Sequence, residues 1–364
     1  MFLHKSFNKS GGVERVHKNL ALAFKEVGVS ALFYVMNGYG KSEEGFDELK
    51  MQFDAYRCEK NKDFLQNVRD ISKLIKYHKI ELVISATEKA NVASFVTKLL
   101  MRSSAKHIYT RHVDFNASGQ RLPPVAIKSL YNLYALNGQI VCVSESLKKQ
   151  IQKQVISRKK HVHFIPNAVV GRLLFQKAKQ TEHQVLHDAN QAYFIAVGRL
   201  VEQKGFDLLI DAYSLALADD HTLPKLVILG EGQCEDALTK QILTLNLAHH
   251  VVLAGYVSNP YPMIQRATCM LLSSRHEGMP TVLIEALALD TPVISFNCPT
   301  GPAEIIEHKK NGVLVSHLDV QALSQALLDY KNVPSDKLSY SVTRFADSHA
   351  ATQYAGLAGI QTHG

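Results

Sequence analysis

The stretch Glu277-Gly278-Met279-Pro280-Thr281-Val282-Leu283-Ile284-Glu285-Ala286 sets two acidic residues eight positions apart around a helix start. Val282, Leu283, Ala286, Leu287 and Leu289 recur at helical spacing, so a helix is expected to begin near Thr281, after the breakers Gly278 and Pro280. Glu277 then lies in the preceding loop. A carboxylate in the apolar run LIEALAL is costly unless something hydrogen-bonds it, so Glu285 needs a partner. Thr281, Glu285 and Ala288 share one helix face, and a helix N-terminus attracts phosphate through its free N–H groups and dipole. Phosphate and polyol recognition fit together in this segment.

Working outward, 364 residues with 46% apolar content can bury two ordinary cores, and two domains are expected. No run of eighteen apolar residues and no signal-peptide centre is present, which leads to the expectation of a cytoplasmic protein. The cysteines 58, 142, 234, 269 and 298 are odd in number, scattered and free of CxxC pairs, and read as small buried hydrophobes. Of the net charge of +8, residues 1–168 hold 27 Lys and Arg against 14 Asp and Glu, and residues 169–364 hold 14 against 19. A basic first half suggests an anionic surface or substrate: Lys148-Lys149 and Arg158-Lys159-Lys160 suit acidic lipid headgroups, the plainer reading being solvated helix faces. Nucleic acid is not expected, since zinc-finger spacing, RNA-recognition signatures and Trp are all lacking.

Short β-rich apolar runs alternate with amphipathic helices throughout, the pattern of α/β folds with parallel sheets. The first half gives SALFYVM, ELVIS, HIYT, QIVCV and HVHFI, with helices such as Val13–Val27 and Phe64–Tyr77 between them. The second gives AYFIAV, KLVILG, HVVLAG, CMLLS, PVISF and GVLV, and the polar Gln176–Gln191 reads as a loop near the boundary. Ligands of such sheets bind beyond the carboxyl ends of the strands. After AYFIAV, Gly198 and Arg199 stand at the strand exit and Lys204 at the next helix start, a pair able to clamp a diphosphate or to form a surface salt bridge. After KLVILG, Gly230-Glu231-Gly232 permits close backbone approach, although a lone GxG is usually a turn. After HVVLAG, Tyr256 and Val257 offer an aromatic edge and backbone groups to a flat base, or Tyr256 is core. Ser10-Gly11-Gly12-Val13-Glu14 precedes the first helix like a phosphate-approach loop, but neither GxGxxG nor GK[ST] is present, which removes support for NAD use and ATP hydrolysis.

In this order, Gly11-Gly12-Val13-Glu14, Gly198-Arg199 to Lys204-Gly205, Gly230-Glu231-Gly232 and Glu277 to Glu285 resemble the retaining glycosyltransferases of family 4, over nearly the whole chain and most specifically from Gly198 to Val315. The resemblance implies a GT-B fold: two facing Rossmann-like domains with parallel sheets and an interdomain cleft. It places residues 1–168 on the acceptor side and 169–345 on the nucleotide-sugar side, with a C-terminal helix in 346–364 crossing back to the first domain. Arg199 and Lys204 would bind the donor diphosphate and stabilise the leaving nucleotide, so no metal and no cofactor is implied; the nucleotide-sugar is a co-substrate. Glu277 would bind donor-sugar hydroxyls, Glu285 the ribose, and the amides near Gly278, Met279, Thr281 and Val282 the sugar and phosphate. Gly12 would allow close approach to the diphosphate. His112 resembles the family histidine beside the transferred sugar, or is one polar surface histidine among the chain's 17. Asn167 resembles the IPN turn of the domain junction and has a hinge role on that reading.

The start Met1-Phe2-Leu3-His4 offers fewer apolar residues for a first strand than the family usually has, which suggests a shortened start. Met279-Pro280-Thr281 stands where many members carry Phe-Gly-Leu, and with Cys298 to Glu304 resembles members using UDP-hexoses or UDP-N-acetylhexosamines. The acceptor expected is a glycan or lipid-linked sugar of surface polysaccharide or glycolipid, with an anionic membrane as a further partner of a peripheral enzyme. A sugar-nucleotide epimerase on the same fold and a non-catalytic nucleotide-sugar or membrane-binding protein are the rivals. A glycoside hydrolase needs two carboxylates but no diphosphate clamp.

Overall fold

A computed structural model describes residues 1–8, 11–60, 63–112, 124–180 and 191–362. The chain divides into two compact units, Met1–Ala168 with Phe345–Gly364, and Val169–Arg344.

The first unit is built on seven parallel strands: β1 (Phe2–His4), β2 (Leu32–Val35), β3 (Asp54–Arg57), β4 (Leu82–Ala86), β5 (Lys106–Arg111), β6 (Gln139–Cys142) and β7 (Val162–Phe164), in the order β3-β2-β1-β4-β5-β6-β7. β1, β2 and β4 are buried at every position, as expected of strands covered on both faces by helices. Three-residue β1 lies at the centre, Leu3 opposite Tyr34 of β2 and Ser85 of β4. β3 is absent from the sequence reading because DAYR carries no apolar run; it is an edge strand with none of its residues buried. The helix Phe64–Tyr77 has the expected bounds, started by the Asp63 carboxylate accepting from Gln66 N, while the first helix runs Gly12–Glu26. The helix Asp347–Ala358 belongs to this unit: Ala351, Tyr354 and Ala355 join Leu20, Phe24 and Phe33 in one core.

The second unit has six parallel strands: β8 (Tyr193–Val197), β9 (Lys225–Leu229), β10 (Val251–Leu253), β11 (Cys269–Leu272), β12 (Val293–Phe296) and β13 (Val313–Val315), in the order β10-β9-β8-β11-β12-β13. The strand order reverses direction between β8 and β11, the topological switch point at which Rossmann-like sheets bind ligands. Phe194, Ile228, Leu271 and Ile294 fill the core with Leu209 and Tyr213 of the helix Phe206–Asp219. The expected loop Gln176–Gln191 is corrected at its start, where the helix Arg172–Ala178 extends into it; residues 181–190, like Ser10, lie outside the described residues. Cys58, Cys142, Cys269 and Cys298 are buried free thiols, whereas Cys234 is only half-buried.

Candidate active site

At the carboxyl edge of the second sheet, Lys204 Nζ donates to Glu277 Oε1 at 2.6 Å, with the two side chains only 17% and 9% exposed. Ser274 Oγ, just past β11, donates to the same oxygen at 2.7 Å, and the Thr300 hydroxyl donates to the Glu277 carbonyl. These bonds satisfy a carboxylate that would otherwise be buried without a partner. The Lys204 stem lies over Gly198, where a Cβ would stand 3.3 Å from its carbons. Arg199 is exposed beside it, its carbonyl accepting from Val201 N at 2.8 Å while its guanidinium makes no hydrogen bond among the described residues. Sequence reasoning grouped Lys204 with Arg199 and treated Glu277 separately; the fold joins Lys204 to Glu277.

The two glycines of Gly230-Glu231-Gly232 serve packing. A Cβ on Gly230 would come within 1.8 Å of the Gly198 carbonyl oxygen, and one on Gly232 within 2.2 Å of the Leu200 oxygen. Leu200 N donates to the Glu231 carbonyl at 2.9 Å, so the loops after β8 and β9 are locked backbone to backbone, with the Glu231 side chain exposed. Gly230 N in turn bonds Gly255 O, next to the 37% exposed Tyr256 and the half-buried Val257. Arg275 clamps the loop from the other side through paired bonds of 2.8 and 2.6 Å to Asp207, whose carboxyl it holds below the usual range.

The helix Thr281–Ala288 starts at the expected residue, and no side chain caps it. Its first-turn N–H groups and dipole point out beside Glu277 and buried Gly278 and Met279. Thr281 is half-buried, Val282 is buried, and Glu285 lies one turn in, 2% exposed. The loop Cys298–Glu304 braces this turn, as a Cβ on Gly301 would meet Pro280 at 2.6 Å. Ser274 and Thr300 are the residues sequence reasoning missed here; their only signal was position just past β11 and β12.

In the first unit Gly12 opens its helix, and beyond its chain neighbours and its own helix backbone no atom of the described residues lies within 4 Å of where a Cβ would stand. His112, at the exit of β5, belongs to a cluster the sequence did not reveal. His17 Nδ1 and His4 Nε2 share a proton at 3.0 Å, and the His17 ring meets His112 edge-on at 5.6 Å. Burial, aided by the neighbouring charges, holds His4 at about 3 and His112 at about 4, and His17 well below the ordinary value, so all three are neutral near pH 7. Thr110 Oγ1 donates to the Ser85 carbonyl at 2.8 Å and therefore accepts from His112 Nε2 at 2.9 Å. His112 thus carries its proton on Nε2 and presents Nδ1 as an acceptor. Beside it Arg111, 5% exposed, pairs with Glu88, which also accepts from Tyr131 Oη at 3.2 Å. Buried Asn167 lies one residue before the last residue of this segment, Ala168, whose carbonyl accepts from Asn19.

Among the described residues no group of three or more His, Cys, Asp or Glu side chains is arranged to hold a metal ion, and no helix is long and apolar enough to cross a membrane.

Two Rossmann-like units with polar groups gathered at the carboxyl edges of parallel strands define the chain as a GT-B protein. The family model Glycosyltransferase Family 4 matches residues 10–170, and Glycosyl transferases group 1 matches residues 178–341. An uncharacterized glycosyltransferase of Methanocaldococcus jannaschii is 32% identical over 66% of this chain and 62% of its own length. The N-acetylgalactosamine-N,N'-diacetylbacillosaminyl-diphospho-undecaprenol 4-alpha-N-acetylgalactosaminyltransferase of Campylobacter jejuni is 34% identical over 50% of this chain and 47% of its own. Anabaena HepE, crystallised with UDP and glucose, shares the fold with a TM-score of 0.78 at 18% identity, over 98% of both chains. The chain belongs to the glycosyltransferases of family 4.

Proposed function

We propose that the protein is a retaining glycosyltransferase that moves a hexose or N-acetylhexosamine from a UDP-sugar to a glycan or lipid-linked acceptor, without a metal ion. The observation that carries this reading is the Lys204–Glu277 pair beside the uncapped start of the helix Thr281–Ala288, with the Arg199 guanidinium, on the same loop as Lys204, exposed and without a partner among the described residues. A cation pair beside a helix N-terminus suits a diphosphate, and a buried carboxylate with one oxygen already committed suits a sugar hydroxyl. The Campylobacter relative, which transfers a sugar to a diphospho-undecaprenol-linked acceptor, and HepE, which holds UDP with glucose, support the donor and acceptor classes.

On this reading the bond from sugar C1 to the diphosphate oxygen breaks and its electron pair stays on the phosphate. Arg199 and Lys204 offset the developing charge, a form of stabilisation commonly worth several kcal/mol. The acceptor hydroxyl attacks C1 from the same face and passes its proton to the departing phosphate. The configuration is retained and no enzymic nucleophile is required. Glu277 orients the sugar, and His112 of the first unit carries an acceptor Nδ1 suited to a sugar hydroxyl.

The test is to incubate the protein with UDP-, GDP- and ADP-sugars in EDTA and follow nucleotide release and the sugar product by NMR. Slow release of α-configured sugar from a UDP-sugar is expected. An epimerised product with no acceptor present, a β-configured product, or turnover that returns only with added metal would overturn the corresponding part.

A further inference from the structure

All strands of the first sheet are parallel, and the helices between them run the other way. The C-terminal ends of the helices Phe64–Tyr77, Glu88–Leu100, Pro124–Asn137 and Glu145–Gln154 therefore share one end of the unit, the end where the strands begin. Consecutive members of this set pack on one another, so the four ends form a row. Ile156 N bonds Asn132 Oδ1 at 2.8 Å, and Arg158 Nη1 bonds the Leu136 carbonyl at 3.3 Å, closing the row at its far side.

Two properties coincide on this row. Tyr77, Leu99, Leu100, Leu133, Leu136 and Ile156 project from it with 41 to 83% of their surface exposed, six of the ten exposed large apolar side chains among the unit's described residues. The same row, in residues 74–81, 98–106, 132–139 and 152–161, carries nine Lys or Arg and a single acidic residue, Glu81. Eight of those nine cations are exposed, including Arg158-Lys159-Lys160. Of the other expected headgroup contact, Lys148-Lys149, Lys148 is half-buried and engaged with Glu145 at 3.1 Å, while Lys149 is exposed outside this row.

Exposed apolar side chains collected in one place are costly in water and mark an interaction surface. The chemistry decides among partners. A second copy of the same face would bring like charges together. Nucleic acid is held by aromatic stacking as well as charge, and this row is aliphatic except for Tyr77. Aliphatic side chains set among Lys and Arg are what an anionic bilayer accepts: the aliphatics enter the boundary between headgroups and acyl chains, and the cations stay at the phosphates.

We propose that this end of the first unit is the surface on which the protein docks to an anionic lipid bilayer. Docking there sets the carboxyl edge, with Glu88, Arg111 and His112, a strand's length above the lipid, about 17–20 Å for a strand of this size. An acceptor whose reacting end stands off the bilayer as an extended chain suits that placement. Docking does not depend on the transfer reading, since it is measured with no donor present.

The experiment is flotation of the full chain with phosphatidylcholine vesicles and with vesicles of phosphatidylcholine and phosphatidylglycerol in equal parts, at low and high salt. Binding to the anionic vesicles alone, lost at high salt, is expected. The variant Arg158→Glu/Lys159→Glu/Lys160→Glu is expected to reduce the bound fraction about tenfold or more, since each cation adds separately to attraction by an anionic leaflet. Leu100→Ser/Ile156→Ser is expected to reduce it several-fold while keeping the circular dichroism and melting of the parent. A control with the same change in net charge on exposed positions of the second unit, Lys240→Glu/Lys309→Glu/Lys331→Glu, is expected to keep binding. Equal binding to both vesicle types, equal loss in the control, no flotation at all, or a concentration-dependent dimer that the first two variants abolish would overturn the proposal.

Discussion

At the carboxyl edge of the second sheet, charges are tied across short gaps, Lys204 to Glu277 in a largely buried pair and Arg275 to Asp207 in a partly exposed one, with Arg199 exposed beside them. At the same edge of the first sheet the polar groups are sunk in the protein: His4 and His17 are 1% exposed, and Arg111 is engaged by Glu88. The second arrangement leaves cations able to meet an anionic leaving group. The first keeps its imidazoles neutral and oriented, which suits hydrogen-bonding to hydroxyls. The difference follows from burial, since water lowers the cost of a charge in one place and its exclusion raises that cost in the other.

The contrast is broken most severely at the second unit. Arg199→Ala is expected to lower kcat by about 10²–10³-fold, the usual effect of losing one donor to developing negative charge. Its thermal midpoint should not move, because the guanidinium is exposed and has no partner among the described residues. Lys204→Ala should lose as much activity and also melt earlier, since Glu277 then keeps only Ser274 as partner for Oε1. Equal melting of the two variants would show that the pair does not hold the loop.

A second test uses acid. The folded values of about 3 for His4 and about 4 for His112 lie below the unfolded value near 6.5, so the unfolded chain binds the extra protons first. Their contribution to stability is present above pH 6.5 and is lost as pH falls from there toward 4 and 3, by at most about 1.4 kcal/mol per pH unit for each group. The protection of β1 and β5 amides, relative to intrinsic exchange at each pH, should therefore fall on acidification before that of β8 and β11. Simultaneous loss of protection in both sheets would count against the buried cluster as the cause.

The smallest effect expected is at Thr110. Thr110→Val removes the hydroxyl that fixes the His112 proton on Nε2, and about a tenfold loss in kcat is expected, below the 10²–10⁴-fold typical of a group that itself transfers the proton, because Thr110 acts only through His112. Thr110→Ser should restore it. Long-range nitrogen–proton NMR of the imidazole reports the tautomer directly, so an unchanged Nε2–H form in Thr110→Val would show that another group sets it, whatever happens to turnover.

The second unit's candidate site was largely legible because its parts are close in sequence and punctuated by breakers. Gly278 and Pro280 announced the helix start at Thr281, and Gly198, Lys204 and Gly230 stood just past apolar runs. The first unit's site was not, apart from Gly12 and His112. His4, His17 and His112 come from a strand, a helix and another strand exit, and nothing in their spacing signals contact. Edge strand β3 escaped notice for a related reason: with no buried face, DAYR needs no apolar pattern.

Apolar periodicity by itself determined that there are two parallel α/β sheets, since strands covered on both faces must be continuous apolar runs. Breaker placement determined which loops carry polar chemistry. Tertiary structure alone decided which charges meet, Lys204 with Glu277 and Arg111 with Glu88, and which nitrogen of His112 carries the proton. It also decided that lysines and leucines scattered over four helix ends make one surface. Those outcomes depend on packing between segments distant in sequence, where burial and hydrogen-bond geometry, and not local pattern, set the energy.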